Sequence, residues 1–160
     1  MAATLDPNRI RQRILQDMKV ELSEEFDRNF ERKAFFTEKW AVRRPQKNPK
    51  GSLLLVTGTL RRSVQGRVEG DGVRFTSSVP YAAVHNEGGT VIQNVRVHQR
   101  RNKKTGKSYQ VRAHQRTLQM PRRQFVGDGP EAQRIIAGCV DRAARDIAEE
   151  LARKLRSNNS

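Results

Sequence analysis

The chain has 160 residues, a formal net charge of +15, 35% hydrophobic residues and a single cysteine, Cys139. One cysteine excludes a disulfide framework and a multi-cysteine metal site. The longest uninterrupted apolar run, residues 53–56, is too short to cross a bilayer, and the first ten residues lack the apolar core of a secretory signal. These features predict one soluble domain over residues 1–160 that has no membrane partner.

The positive charge is concentrated in two blocks. Residues 39–68 hold eight basic and no acidic residues, and residues 88–127 hold ten basic and no acidic residues. The other segments are close to neutral. Such segregation favours a positively charged surface that meets a polyanion or an acidic protein. A basic run that is only solvated gives the same pattern, so charge alone leaves both interpretations open.

Both ends of the chain have the pattern of long amphipathic helices. Near the N-terminus, Asp6 can cap a helix and Pro7 suits its first position. The apolar spacing there predicts a helix over residues 7–33, with a stripe that consists of Ile10, Ile14, Met18, Leu22, Phe26 and Phe30. Near the C-terminus, Asp128 and Glu131 predict a capping box. A helix over residues 129–156 follows, with Cys139 as an inert core residue, and then a frayed tail over residues 157–160.

Between the helices the apolar period changes to two residues. Alternation predicts strands over residues 63–69, 73–79, 90–98 and 108–114, and the turn sequence 69–72 predicts a hairpin between the first two. The β-rich region spans residues 52–126, and the basic segment 100–107 forms either a hairpin tip or a partly disordered loop in an arm over about residues 98–116. The sequence shows no internal repeat. We predict an α+β fold, in which an antiparallel sheet of about four strands packs against the long N- and C-terminal helices.

The sequence contains no convincing catalytic or cofactor motif. Gly106-Lys107-Ser108 lacks the upstream glycine and the following helix of a phosphate-binding loop. His85, His98 and His114 are too scattered for a metal site. We therefore expect no catalytic, cofactor-binding or metal-binding residues, and we expect that the chain is not an enzyme.

Three motifs occur in order in the middle of the chain. They are Leu53-Leu54-x-x-Thr57-Gly58-x-Leu60-Arg61-x-Ser63-Val64, then Val79-Pro80-Tyr81-Ala82-x-x-His85-x-x-Gly88, then Met120-Pro121-Arg122-Arg123-Gln124-Phe125-Val126-Gly127. With Trp40 after the first helix, they resemble the tailed-phage virion morphogenesis family, which includes tail completion proteins like those of phages Mu and P2. The resemblance covers residues 5–155. Gln124 stands where the family has the second proline of Pro-x-Arg-Pro-Phe, so a looser turn is expected there.

The resemblance implies structural roles for the motif residues. Gly58 should adopt a backbone conformation that other residues resist, Phe125 should be buried and Arg123 should form a hydrogen bond or an ion pair. Tyr81 and Ala82 should pack at a strand end, before a turn at Gly88. The complete set is Trp40, Thr57, Gly58, Leu60, Arg61, Ser63, Tyr81, Ala82, His85, Gly88, Pro121, Arg123 and Phe125.

The resemblance also implies a function. A member of this family would be a structural protein at the neck or tail end of the virion, assembled in the host cytoplasm, that completes or terminates the tail and joins it to the head connector. Such proteins form rings, and a hexamer would match the symmetry of a tail tube. The implied partners are other copies of the chain, the tail tube protein, the head–tail connector proteins and DNA that passes through the joint.

The arm is the predicted partner-binding site. Its basic residues would meet an acidic surface on a neighbouring subunit or ring, or DNA in the lumen, and they are Arg100, Arg101, Lys103, Lys104, Lys107, Arg112 and Arg116. The alternative function is a sequence-independent DNA-binding protein that acts through phosphate contacts.

Overall fold

The computed structural model describes residues 6–42 and 53–158. In chain order the elements are α1 (Pro7–Arg32), β1 (Ala34–Phe35), β2 (Glu38–Lys39), α2 (Thr59–Ser63), β3 (Val64–Glu69), β4 (Gly72–Ser77), α3 (Ala82–Glu87), β5 (Gly89–Val95), β6 (His98–Arg101), β7 (Ser108–Val111), β8 (His114–Met120) and α4 (Pro130–Asn158). The α+β class, with a long helix at each end and antiparallel strands between them, is confirmed. Within the described ranges, no helix is long and apolar enough to cross a membrane.

Helix α1 begins as its sequence predicts. The Asp6 side chain accepts a hydrogen bond from the backbone N–H of Asn8 at 2.9 Å, and Pro7 occupies the first helical position. The helix ends at Lys33, which is in the left-handed conformation with φ 55°. The apolar stripe is confirmed at Leu22, Phe26 and Phe30, whereas Leu15 is buried and the predicted Ile10, Ile14 and Met18 are only half-buried.

Helix α4 starts one residue later than predicted, and the predicted capping box is wrong. Because Pro130 is the first helical residue, the N-cap position falls on Gly129. The Asp128 carboxylate accepts hydrogen bonds from the Gly129 N–H and from the Gln133 side-chain amide. The Glu131 carboxylate accepts a hydrogen bond from the Thr37 hydroxyl at 3.3 Å. The helix continues to Asn158, so the predicted frayed tail is wrong at residues 157 and 158, which are helical. Residues 159–160 lie outside the described ranges.

The strands form four separate antiparallel pairs, not the single sheet that was predicted: β1–β2, β3–β4, β5–β8 and β6–β7. The hairpin at residues 69–72 is confirmed, since Glu69 pairs with Gly72 across a two-residue turn and Gly70 has φ 57°. Sequence alternation missed the short helices α2 and α3, which separate the β3–β4 hairpin from its neighbours in the chain.

Two adjoining clusters form the core. One contains Leu22, Phe26, Phe35, Phe36 and Ala132, where α1, the β1–β2 turn and α4 meet. The other contains Phe30, Trp40, Leu60, Ala82 and Phe125. Helices α1 and α4 pack against each other and run antiparallel, as the ion pairs Arg13–Asp146 and Glu21–Arg142 show. These ion pairs are exposed, so each contributes at most about 1 kcal/mol.

Candidate functional site

The β5–β8 and β6–β7 pairs are two parts of one long hairpin. Val95 pairs with His114 in the first part, and His98 pairs with Val111 in the second. Between these pairs, residues 96–97 of one strand and 112–113 of the other are unpaired, and we call these four residues the joint. The pairing register is the same on both sides of the joint. We call the whole hairpin, residues 89–120, the arm. At about 3.4 Å per residue, its first strand from Gly89 to Arg101 reaches roughly 40 Å. The predicted arm, 98–116, was thus too short at its base.

The tip of the arm is an ordered turn, which decides between the two predicted interpretations. The Asn102 side-chain oxygen accepts from the backbone N–H groups of Lys104 and Thr105 at 2.9 and 3.2 Å. The N–H of Gly106, at φ 70°, donates to the Asn102 carbonyl at 2.9 Å. Of the basic side chains around the turn, only that of Arg101 helps to close it, by donating to the Gly106 carbonyl.

The arm carries positive charge without a compensating acid. Residues 89–120 contain eight basic and no acidic residues. The seven predicted partner-binding residues are all exposed, and within residues 6–42 and 53–158 no ion pair involves the arm. Arg116 donates to the Gln93 side chain at 2.6 and 2.8 Å, and the Arg101 Nε donates to the Gly106 carbonyl at 2.9 Å. These neutral acceptors orient the guanidinium groups but leave their charge unbalanced.

The two strands of the arm contain a short repeat, so the expectation of no internal repeat was wrong. Residues 95–100 read Val-Arg-Val-His-Gln-Arg and residues 111–116 read Val-Arg-Ala-His-Gln-Arg. The antiparallel register brings these segments side by side around the joint, running in opposite directions. Their local geometry also matches, because the Nδ1 of His98 lies 2.8 Å from the Arg96 carbonyl oxygen and the Nδ1 of His114 lies 2.9 Å from that of Arg112.

The arm leaves the body at a close backbone contact. Gly88, at φ 75°, ends α3 directly before β5, and a Cβ atom at this position would lie 2.8 Å from the backbone nitrogen of Arg122. Only glycine accommodates both this conformation and this approach. Gly88 therefore allows the two strands of the arm to leave the body close together.

The segment Arg123–Val126, which we call the clamped segment, fixes the base of the arm to the body. The N–H of Arg123 donates to the His85 carbonyl at 2.8 Å, and the Arg123 Nε donates to the Ala41 carbonyl at 3.0 Å. The Gln124 carbonyl accepts from the Trp40 indole at 2.6 Å. Phe125 is 3% exposed, in agreement with the expected burial.

Two asparagines that the sequence analysis missed hold the clamped segment. The Asn86 side-chain oxygen accepts from the N–H groups of Phe125 and Val126 at 3.0 and 3.1 Å. The fully buried Asn29 donates to the Phe125 carbonyl at 3.1 Å and accepts from the Phe36 N–H at 2.8 Å. A sequence signal existed for Asn29: it is a poor helix former between Phe26 and Phe30 on an apolar stripe. No comparable signal marks Asn86.

Gln124, which replaces the family's proline, has an ordered place. Its side-chain oxygen accepts a hydrogen bond from the Arg122 guanidinium. Its side-chain nitrogen occupies the space that a Cβ atom on residue 127 would need. Gly127 has φ 149° and therefore admits this arrangement. Gln124 thus makes side-chain contacts on both sides, with Arg122 and with Gly127.

The first motif joins α2 to α1. Gly58 is left-handed at φ 69°, as expected, and precedes α2. Arg61 forms a fork with Asp27, at 2.5 Å for its Nε, and also pairs with Glu31 at 2.7 Å. These hydrogen bonds raise the pKa of Arg61 above its usual value, so the guanidinium stays charged. The Ser63 hydroxyl lies 2.7 Å from both the Leu60 carbonyl and the Ser77 hydroxyl.

Six of the thirteen motif residues line one open cavity of about 890 Å³ at the base of the arm. They are Thr57, Leu60, Tyr81, His85, Pro121 and Arg123. Tyr81 is 44% exposed and packs edge-on against the His85 ring at 5.8 Å, whereas Ala82 is buried. Both belong to α3 and its cap, so their expected position at a strand end was wrong. Burial, with Arg123 as the second cause, lowers the pKa of His85.

The described residues hold no group of three or more His, Cys, Asp or Glu side chains that could bind a metal ion. The cysteine is buried, and burial raises the pKa of its thiol. A body with an extended basic arm whose charge it does not neutralise is typical of proteins that bind a partner outside their own fold.

Comparison with known families identifies the class more closely. The model of the phage virion morphogenesis family matches residues 2–145. The chain therefore belongs to the phage virion morphogenesis family, and its role lies in building a phage particle. No curated protein and no solved structure matched it.

Proposed function

We propose that the chain is a structural subunit of the neck or tail end of a phage virion. In this role it completes or terminates the tail and joins it to the head connector as part of a ring of identical subunits, with a hexamer as the expected form. Family membership supports a role in morphogenesis. The observation that carries the joining role is the arm, which is roughly 40 Å long from Gly89 to Arg101 and has no ion pair within the described residues.

The construction of the arm supports a contact with another molecule over a role in the fold. A hairpin that stabilised its own domain would bury apolar side chains against the body. Here every residue of β6 is exposed, and so are all residues of the tip from Arg101 to Gln110. The clamped segment and Gly88 fix the base of the arm to the body. An arm that is fixed at its base and exposed beyond the joint can reach another component of the particle.

The arm can be tested with two variants that lose the same charge. In the arm variant, glutamine replaces Arg100, Arg101, Lys103, Lys104 and Lys107. In the body variant, glutamine replaces five exposed residues that form no ion pair in the described part of the chain: Arg9, Arg67, Arg134, Arg145 and Arg153. Each is supplied to the phage whose own copy of the gene is interrupted, and the lysates are compared by electron microscopy.

We expect filled heads beside separate tails with the interrupted gene and with the arm variant, and joined virions with the body variant. Separate tails of normal length would support completion, and tails of uncontrolled length would support termination. Joined virions from the interrupted gene would overturn the proposed function. Joined virions from the arm variant alone would overturn the role of the arm.

A further inference from the structure

We propose that the arm binds duplex DNA, and that it does so in the major groove with its two faces toward the two phosphate backbones. This inference concerns the ligand of the arm. It deepens the proposed function, since a ring at the connection between head and tail encloses the path of the genome. It can also be tested on the purified chain alone.

The distribution of charge argues against a second copy of the chain as the partner of these cations. The chain carries +15 and the arm carries +8, so the remaining 128 residues carry +7. Several of the acidic residues of the body are already paired internally, among them Glu21, Glu25 and Asp27. A neighbouring subunit therefore presents a surface that is itself basic. Duplex DNA instead carries one negative charge per about 1.7 Å of its axis.

The charge lies on both faces of the ribbon and at its tip. Arg100 and Arg101 are consecutive in β6, so their side chains leave opposite faces of the hairpin. Lys103, Lys104 and Lys107 surround the turn. A ribbon that lay flat on an acidic protein surface would use only one face. A ribbon inside a groove has phosphates on both sides, and the major groove, about 12 Å wide, admits a two-stranded ribbon.

The repeat in the arm matches the symmetry of a duplex. The two backbones of DNA run in opposite directions, and so do the segments 95–100 and 111–116. Because the register sets Arg116 opposite Gln93, Arg96 and Arg100 leave one face of the ribbon, and Arg112 and Arg116 leave the other. Each face therefore offers its backbone the same order of residues, with the two arginines of one face about 14 Å apart. A protein surface does not in general repeat itself in this way.

The binding should be insensitive to DNA sequence. The arm carries arginine and lysine for phosphates, but Tyr109 is its only aromatic residue. A stacking platform for unpaired bases needs several aromatic side chains. We therefore expect duplexes of different sequence to bind alike, and single strands to bind more weakly than duplexes.

The decisive measurement is the salt dependence of binding to a labelled 20-base-pair duplex by fluorescence anisotropy. Each phosphate contact contributes about 0.9 to the slope of log K against log salt concentration, so the arm variant should lower the slope by about 4 to 5. The body variant, with the same net charge, should change it by less than about 1. Equal changes in the two variants would overturn the inference, because DNA would then respond only to net charge.

Single substitutions and groove ligands test the geometry. Arg96→Gln and Arg112→Gln should each lower the slope by about 0.9, and Arg100→Gln and Arg116→Gln should do the same. Methyl green, which occupies the major groove, should displace the chain, and netropsin, which occupies the minor groove, should not. Displacement by netropsin alone, or an effect confined to the arginines of one face of the ribbon, would overturn the proposed geometry.

The outcomes for DNA binding and for joining are separate. If the arm variant blocks joining but binds DNA like the body variant, an acidic protein is the partner and only the DNA inference fails. If the arm variant loses DNA binding but virions are still joined, the inference holds and the role of the arm in joining fails.

Discussion

At the scale of single residues, side chains from three distant parts of the chain converge on the clamped segment. Asn29 comes from α1, Trp40 follows β2 and Asn86 lies on α3. Each hydrogen-bonds a backbone group between Gln124 and Val126. Backbone groups buried without a partner destabilise a fold, so an irregular segment in the core requires side chains of this kind. The side chains of Asn29, Trp40 and Asn86 thus supply the hydrogen-bond partners that neighbouring strands would supply in a sheet.

Replacement of Asn86 by alanine should strongly destabilise the protein. It removes the acceptor of two N–H groups, each of which costs about 1–3 kcal/mol when buried without a partner. We expect a loss of about 2–4 kcal/mol in the free energy of unfolding, measured by urea denaturation. Asn86→Asp keeps the acceptor and should lose much less. Equal losses in the two variants would contradict the role of the accepted hydrogen bonds.

His85 should make stability depend on pH below neutrality. Burial and Arg123 lower the pKa of His85 in the folded state, and its Nδ1 has no hydrogen-bond partner among the described residues. The unfolded chain takes up a proton near pH 6.5, where the folded chain does not. Stability should therefore fall as the pH decreases through about 6.5, and should level off below the folded pKa.

The measurement is the melting temperature from pH 8 to pH 5, compared between the native chain and His85→Gln. The native chain should lose more stability on acidification, since glutamine does not titrate. Parallel curves for the two proteins would show that the folded His85 titrates as it does in the unfolded chain.

At the scale of elements, the arm divides at the joint into a base and a distal part. The β5–β8 pair has half-buried residues at Val91, Val95, Leu118 and Met120, whereas β6 is exposed throughout. The base is therefore part of the body in its packing, and the distal part contributes little to the stability of the fold.

Removal of the distal part should leave the body intact. In a shortened chain, Asn-Gly replaces residues 96–113 and connects Val95 to its partner His114 through a favoured two-residue hairpin turn. We expect the free energy of unfolding to change by no more than about 1 kcal/mol, since surface changes are usually small. Calorimetry measures this, and a chain that no longer melts cooperatively would contradict the division at the joint.

The elements differ in how well the sequence predicted them. The two long helices were placed to within a few residues, because a helix depends on local spacing and on its caps. The predicted strand 90–98 covers β5 apart from Gly89 but only the first residue of β6, and the predicted strand 108–114 covers β7 but only the first residue of β8. Helices α2 and α3 were missed, since five or six residues carry too little periodicity.

At the scale of the whole molecule, the charge and the core are separated. The aromatic residues Phe26, Phe30, Phe35, Trp40 and Phe125 are concentrated where α1 meets the segments that follow it and the clamped segment. The positive excess extends outward along the arm. This separation lets a chain of low apolar content keep a defined core while it presents a highly charged surface. It suits a protein that is mounted by its body in an assembly and makes contact through its arm.

The sequence by itself determined the α+β class, the two long helices, the basic blocks and the membership of a virion family, because these depend on local patterns and on the order of motifs. Only the tertiary structure decided that the strands remain in separate pairs, that β5–β8 and β6–β7 follow one register through the arm, and that Asn29 and Asn86 hold its base. The physical reason is that strand register and buried hydrogen bonds join residues far apart in the chain. Asn29 and Phe125, for example, are 96 positions apart, and no local pattern records which distant partner a polar side chain will meet.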